Sequence, residues 1–365
     1  MIAIATQCFA PDVGGVETTM TGLADNLALS GCDVRVFADR IHNLSAPPFT
    51  RDYPVLRYSF VRPYRRWRKR MAIGALDPRA LEGVFADSWK SVEAIPPTPA
   101  PIAVFAHGAE LPLDPTTRKA RRVIHALRRG NAIIANSAYT ADLVRALLRS
   151  EAPRVVVVRS PIPPQPEPTP EALARIDAIV AGRGPVVSTL ARLEPRKGVD
   201  TVLRALPAIR QRHPQIVYIV AGGGEDRARL EALAAELGLT ESVHFIGRVD
   251  DSLKAAMLTR TDVFAMPARR EGTSVEGYGL VYIEAAWRAA PSLAGREGGA
   301  ADAVIDGETG LLCDGADPVD VAATLSRMLG DEAFRRTLGA NAATRAREEL
   351  TWAVALPLYR AALER

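Results

Sequence analysis

The sequence predicts an α/β protein made of two doubly wound, parallel-sheet domains facing a cleft. Three observations carry this expectation. First, short apolar runs of strand type alternate with helical patterns along all 365 residues, and repeated βα units bury a parallel sheet between two layers of helices. Second, the alternation is interrupted once, by Pro161, Pro163, Pro164, Pro166, Pro168 and Pro170, a proline density that neither a helix interior nor a central strand tolerates. Third, 48% hydrophobic and 24% charged residues suit a packed chain of about two domains and exclude collagenous or disordered classes.

The elements follow in order. Residues 2–8 read as a strand, Gly14-Gly15 as a turn and 16–29 as a helix stopped at Gly31, where a glycine suits the left-handed C′ position. Strand-type runs follow at 34–38, 55–60, 102–106, 132–135 and 155–158, and Ser137 is placed to cap a helix carrying Leu143, Leu147 and Leu148. After the prolines, strands are expected at 185–190, 216–221, 243–246 and 263–266, and helices at 199–211, 226–237, 253–258 and 280–289; residues 319–365 read as helical throughout. The expected division is a first domain 1–163, a proline-rich linker 164–184 and a second domain 185–351.

No apolar run approaches the roughly 18–20 residues that span a bilayer, and the opening Met1-Ile2-Ala3-Ile4-Ala5 reads as a strand rather than a leader. Cys8, Cys32 and Cys313 are odd in number and far apart, which fits neither a disulfide framework nor a zinc site. The expectation is a cytoplasmic chain. Its net charge of +4 hides an asymmetry: residues 1–163 carry 22 basic against 14 acidic side chains, and the remainder 24 against 28. A basic half suggests an anionic surface or ligand.

In doubly wound folds ligands bind beyond the carboxyl ends of the strands, so the loops after strands are where chemistry is expected. The strongest signal is Glu276-Gly277-Tyr278-Gly279-Leu280, followed by Glu284, after the strand ending at Met266. Its glycines admit a ligand close to the backbone, free N–H groups at the helix start favour anions, and both carboxylates can face one cleft. Arg192 and Lys197 flank the loop after the first strand of the second half; fixed cations of this kind stabilise a departing diphosphate. Gly14 and Gly15 form an anion-accepting turn, though not the full dinucleotide fingerprint. His107 stands at a strand end beside Gly108, unlike His125, His213 and His244, which lie in helical, pre-proline and strand settings. Gly222-Gly223-Gly224 and Gly298-Gly299 follow strands as well, and tight-turn geometry alone also accounts for them.

Taken together, these residues resemble the GT-B glycosyltransferases of glycosyltransferase family 4, over nearly the whole chain and most densely from 185 to 352. The Glu276-x7-Glu284 pair is the most specific element; Thr309-Gly310-Leu311-Leu312 and Trp352 also stand where that family has them. The resemblance implies two Rossmann-like domains, with the helix at about 352–365 returning to the first. It also implies that Gly14, Gly15, Arg192 and Lys197 hold the donor diphosphate. Glu276 would meet the donor sugar, Glu284 the ribose and Val249 the base, with Gly222, Gly223, Gly277, Tyr278, Gly279 and Leu280 completing the donor set and His107 near the reacting sugar. Configuration would be retained, with no cofactor and no metal; the sequence has no Asp-x-Asp. The proline-rich stretch departs from the Asn-Gly the family often has there.

Ala268-Arg269-Arg270-Glu271-Gly272 running into Val275-Glu276-Gly277, with His107-Gly108, is similar to GDP-mannose-dependent phosphatidylinositol mannosyltransferases. The expected activity is therefore transfer of a hexose, mannose from GDP-mannose, to a lipid-linked or glycan acceptor. A UDP-sugar transferase of the same fold, a sugar-nucleotide epimerase and a non-catalytic partner protein are the alternatives. Arg62, Arg65, Arg66, Arg68, Lys69 and Arg70 interleave with Tyr64 and Trp67, and Arg118, Lys119, Arg121, Arg122, Arg128 and Arg129 follow. Near an anionic bilayer each cation is worth about 1 kcal/mol and Trp and Tyr favour the interface, so this half is expected to dock peripherally on a membrane. A solvated basic face is the competing expectation, and no nucleic-acid motif accompanies the cluster.

Overall fold

The structure, a computed structural model, describes residues 1–40, 50–149 and 153–364. It divides into two compact units, one of Met1–Pro163 with Thr351–Arg365 and one of Pro164–Leu350.

The first unit runs β1 (Ile2–Ala5), α1 (Gly15–Leu29), β2 (Val34–Asp39), β3 (Val55–Tyr58), α2 (Arg62–Gly74), β4 (Gly83–Ala86), α3 (Trp89–Val92), β5 (Ile102–Ala106), α4 (Arg118–Leu127), β6 (Ala132–Ala135), α5 (Ala138–Leu148) and β7 (Arg154–Val157). Its described strands form one all-parallel sheet in the order β3-β2-β1-β4-β5-β6-β7. The order reverses between β1 and β4. The central strands are buried on both faces: β1, β4, β5 and β6 expose no residue, as a parallel sheet covered by helices requires.

The second unit runs α6 (Pro170–Val180), β8 (Val186–Leu190), a 3-10 turn (Pro195–Lys197), α7 (Val199–Arg210), β9 (Val217–Ala221), α8 (Arg227–Glu236), β10 (Val243–Gly247), α9 (Asp251–Thr259), β11 (Val263–Met266), α10 (Leu280–Trp287), β12 (Ser292–Gly295), α11 (Ala300–Ala303), β13 (Gly310–Cys313), α12 (Pro318–Gly330) and α13 (Glu332–Glu348). Its six strands are again all parallel, ordered β10-β9-β8-β11-β12-β13, with the reversal between β8 and β11. Val187, Tyr218, Val220, Val263, Ala265, Leu293 and Leu311 from its strands pack against Val202, Leu206, Leu325 and Met328 of α7 and α12.

The closing helix α14 (Trp352–Ala361) belongs to the first unit, against α1. Trp352 lies so close to the Cα of Gly22 that a Cβ there would come within 2.2 Å of the indole, and Tyr359, fully buried, rests 5.3 Å from the ring of Phe105.

Several expectations need correcting. The stretch 164–184, expected to be a proline-rich linker, falls in the second unit and contains α6, which Thr169 caps by accepting from the Ala172 amide. Pro170 occupies the first helical turn, where a missing N–H costs nothing and a fixed φ helps. The first strand ends at Ala5 rather than 8, since Thr6 and Cys8 turn to bond each other and Asp87. The helical stretch expected at 319–365 is divided into three helices, with Asp331 ending α12 and capping α13 and Trp352 opening α14. Strands β4, β12 and β13 were not expected; each is four residues long and contains a glycine at one end.

Candidate functional site

All six strands of the second sheet point the same way, so the loops after β8, β9, β10, β11, β12 and β13 gather at one edge. The reversal between β8 and β11 opens the crevice where such folds take ligands. The loop after β8 carries Arg192 to Gly198 and the loop after β11 carries Pro267 to Gly279. Backbone packing joins them. The amide of Arg269 donates to the carbonyl of Arg196 (2.9 Å). Arg269 then clamps Asp200 at the start of α7 through two hydrogen bonds of 2.8 and 3.0 Å and reaches Thr201 Oγ1 at 2.7 Å.

Within this frame Glu276 is the focus. Its Oε2 accepts from Lys197 Nζ at 2.5 Å and from Arg196 Nη1 at 3.1 Å, and all three side chains are largely buried. Burial by itself would raise the Glu276 carboxyl; the charges of Lys197 and Arg196 and their hydrogen bonds outweigh that and hold it at about 2. The Glu276 carbonyl accepts from the Gly299 amide (2.8 Å), which ties in the loop after β12. Gly279, at φ +87°, caps the start of α10 in a conformation that a side chain would strain.

Of the expected four-charge cluster, Lys197 and Glu276 meet and Arg192 does not. Arg192 is 70% exposed and pairs with Glu194 (2.7 Å), whose other oxygen accepts from Arg196 Nε (3.0 Å). The second cation on Glu276 is thus Arg196, which the sequence reading passed over. The 3-10 turn presents the neighbouring side chains of Arg196 and Lys197 to the same carboxylate. Glu284 sits one turn into α10 and pairs with Lys254 Nζ of α9 at 2.7 Å. Burial pulls the Lys254 ammonium down, but Glu284 and Asp251 push it above its usual value. Lys254 was also missed; a lysine in the first turn of a helix opposes the helix dipole, which is a readable sign that a carboxylate faces it.

The remaining expected donor residues divide. Gly277, half-buried Leu280 and half-buried Val249 lie in loops or a helix start at this strand edge. Tyr278, between Gly277 and Gly279 in the same loop, is 2% exposed. Gly222, at φ +125°, and Gly223 follow β9. A Cβ on Gly222 would come 1.8 Å from the Ala191 carbonyl oxygen, and Gly223 accepts from the Leu193 amide. Close packing of the two loops therefore accounts for glycine at 222.

In the first unit the polar groups collect where its strand order reverses. Asp87, after β4, accepts from Thr6 Oγ1 (2.9 Å) and the Gln7 amide (2.7 Å) after β1. His107, after β5, hydrogen-bonds the Asp87 carbonyl through Nε2 (2.8 Å), stacks on Phe105 and donates its amide to Glu110. At Gly14-Gly15 the expected anion-accepting turn already has a carboxylate beside it: a Cβ on Gly14 would lie 2.3 Å from Glu17 Oε2. Glu17 is an acidic residue in the first turn of α1, where the helix dipole favours negative charge.

The basic stretch 62–70 forms α2, and much of it turns inward. Lys69 is buried on Asp39 (2.7 Å) and the Thr6 carbonyl, and Arg65 also pairs with Asp39 (2.9 Å). Arg66 and Arg122 of α4 share Glu93, and Arg70 and Arg129 donate to the Ile95 carbonyl. Both basic clusters are thereby joined through α3 and the turn after it. Arg62 and Arg68 remain exposed, with Phe60, Val61, Tyr64, Trp67 and Met71 beside them. Among the described residues no helix is long and apolar enough to cross a membrane.

Residues 13–166 match the model of Glycosyltransferase Family 4 and residues 176–345 that of Glycosyl transferases group 1. Each model matches a little under half of the chain, and between them the two cover nearly all of it. The fold is GT-B: sucrose-phosphate synthase from Thermosynechococcus elongatus superposes with a TM-score of 0.79 at 22% identity, covering 99% of this chain and 97% of that one. Anabaena HepE in complex with UDP and glucose gives 0.77 at 18%, covering 100% and 99%. Among curated relatives, a GDP-mannose-dependent alpha-(1-6)-phosphatidylinositol monomannoside mannosyltransferase of Mycolicibacterium smegmatis is 39% identical over 175 residues, 47% of this chain and 46% of the relative. A D-inositol 3-phosphate glycosyltransferase of Salinispora arenicola is 38% identical over 181 residues, 47% and 39% respectively. The matched part spans about half the length of these relatives or less.

Proposed function

We propose that this chain is a retaining hexosyltransferase that moves mannose from GDP-mannose to a hydroxyl of a lipid-linked or glycan acceptor. The observation that carries this reading is the Lys197–Glu276 pair at the strand-order reversal of the second sheet. On this reading a cation and an ionised carboxylate from two different loops would serve the two parts of the donor, the diphosphate and the sugar attached to it. The mannose and the lipid are supported by the names of the 39%-identical relatives.

On this reading the residues divide the work. Lys197 neutralises charge on the diphosphate as the glycosidic bond breaks, a preorganised electrostatic contribution of the kind that lowers such barriers most. Glu276 accepts hydrogen bonds from sugar hydroxyls, and Glu284, oriented by Lys254, from the ribose. The first unit takes the acceptor, with His107 as its candidate polar contact. The leaving phosphate oxygen takes the acceptor's proton, so no separate base is required. The exposed aromatic and aliphatic side chains of α2, with Arg62 and Arg68, are assigned to an anionic bilayer surface, where rings and cations are both favoured.

The test is a transfer assay with GDP-mannose, UDP-glucose and UDP-N-acetylglucosamine against a phosphatidylinositol mannoside acceptor. Mannosylated product formed with GDP-mannose, with the α-anomer retained, is the expected result. Transfer from a UDP-sugar instead would replace the donor assignment. Conversion of the sugar nucleotide without acceptor would favour an epimerase, and no turnover with any donor a non-catalytic role.

A further inference from the structure

The two cations on Glu276 are not equivalent. Both Lys197 Nζ and Arg196 Nη1 bond the same oxygen, Oε2, and among the described residues no hydrogen bond reaches Oε1. A single carboxylate charge is thus faced by two positive ones. The Lys197 ammonium has Glu276 as its one described hydrogen-bond partner. Arg196 has two further partners besides Glu276. Its Nε donates to Glu194 (3.0 Å), Glu194 is in turn held by Arg192, and its carbonyl is fixed by the Arg269 amide.

Lysine is a compact charge on a flexible stem, whereas the planar guanidinium can bridge two carboxylates at once. An anion arriving beside Glu276 therefore has one cation it can recruit and one it cannot. We propose that Arg196 is a positioning residue that holds Glu276 with Oε1 open to a sugar hydroxyl, while Lys197 is released to the incoming diphosphate. This rests on the donor reading given above. It adds a division of labour: Lys197 recognises the diphosphate whatever is attached to it, and Arg196 acts only on recognition of the sugar.

Calorimetric titration separates the two roles. Wild-type protein, Arg196→Gln and Lys197→Met are each titrated with GDP and with GDP-mannose, and in parallel with UDP and UDP-glucose. Arg196→Gln is expected to bind the bare nucleotide diphosphate within about twofold of wild type and the sugar nucleotide about tenfold more weakly, the usual scale of a charge-assisted hydrogen bond. Lys197→Met is expected to weaken both about tenfold. Arg196→Lys keeps the charge but not the bridge and should recover part of the sugar-dependent affinity; it is also the variant read if thermal unfolding shows that Arg196→Gln does not fold. Equal weakening of both ligands by Arg196→Gln, or of neither, overturns the inference. Failure of the wild type to bind any of the four ligands overturns the donor reading itself.

Discussion

Lys197 and Glu276 are 79 residues apart in the chain, and their Nζ and Oε2 atoms are 2.5 Å apart in space. Neither side chain is in regular α or β structure. One sits in a 3-10 turn and the other in the loop before α10. Their meeting depends on β8 and β11 being neighbours across the reversal of strand order.

Glu276→Gln keeps the shape and removes the charge. Transfer activity is expected to fall by about a hundredfold or more, the scale on which single preorganised polar contacts act in transfer reactions. Steady-state kinetics on folded variant, checked by circular dichroism, measure it; activity within about twofold of wild type would remove Glu276 from the donor site.

The same carboxylate makes stability depend on pH. Its folded value of about 2 lies below the ordinary 4.5, so the unfolded chain binds the proton more readily. The stabilisation, about 3 kcal/mol, is present above pH 4.5 and is lost as pH falls towards 2. Thermal midpoints between pH 7 and pH 3 should fall less steeply for Glu276→Gln than for wild type, with the difference in slope confined below about pH 4.5.

Lys254→Met leaves Glu284 half-buried without its cation. The expected cost is about 1–3 kcal/mol, read from urea unfolding of the full chain. The Lys254→Arg variant should recover most of it.

Trp352→Ala opens a cavity over Gly22 where the closing helix meets α1, with an expected loss of about 3–5 kcal/mol. Gly22→Ala does the converse and forces the indole away from α1, at about 1–3 kcal/mol. Denaturant unfolding of both variants tests whether α14 is an integral part of the first unit; midpoints within error of wild type for both would say it is not.

Sedimentation with vesicles tests the exposed face of α2. Binding to phosphatidylglycerol vesicles is expected to exceed binding to phosphatidylcholine vesicles several-fold, and Trp67→Ala with Arg68→Ser to remove most of the excess. Lys69 and Arg65 are not suitable probes, because their charges are spent on Asp39 inside the unit. Equal sedimentation with both vesicle types would assign α2 to water.

Much of the architecture was legible in the sequence because buried parallel strands write themselves as unbroken apolar runs. Residues 102–106 and 263–266 were readable in this way, with observed strands at Ile102–Ala106 and Val263–Met266. Strands β4, β12 and β13 were not, because a glycine at one end of each four-residue strand leaves only a short apolar run. Those glycines answer partners remote in sequence: Gly83 makes room for Leu363, Gly295 for the Ala268 carbonyl and Gly310 for that of Ser292. Helix α6 was hidden by prolines that mark a loop up to Pro168 and begin a helix at Pro170.

The sequence by itself determined the two α/β units, the loops in which polar chemistry would stand, and Glu276 and Lys197 as residues to watch, because period, glycine placement and strand-end position are local properties. The tertiary structure alone decided which charges meet. Arg196 rather than Arg192 joins Lys197 on Glu276, Lys254 takes Glu284, and Asp39 draws Lys69 and Arg65 inward. Ion pairing depends on distances of a few ångströms between side chains carried by different loops, and those distances exist only once the strand order has brought the loops together.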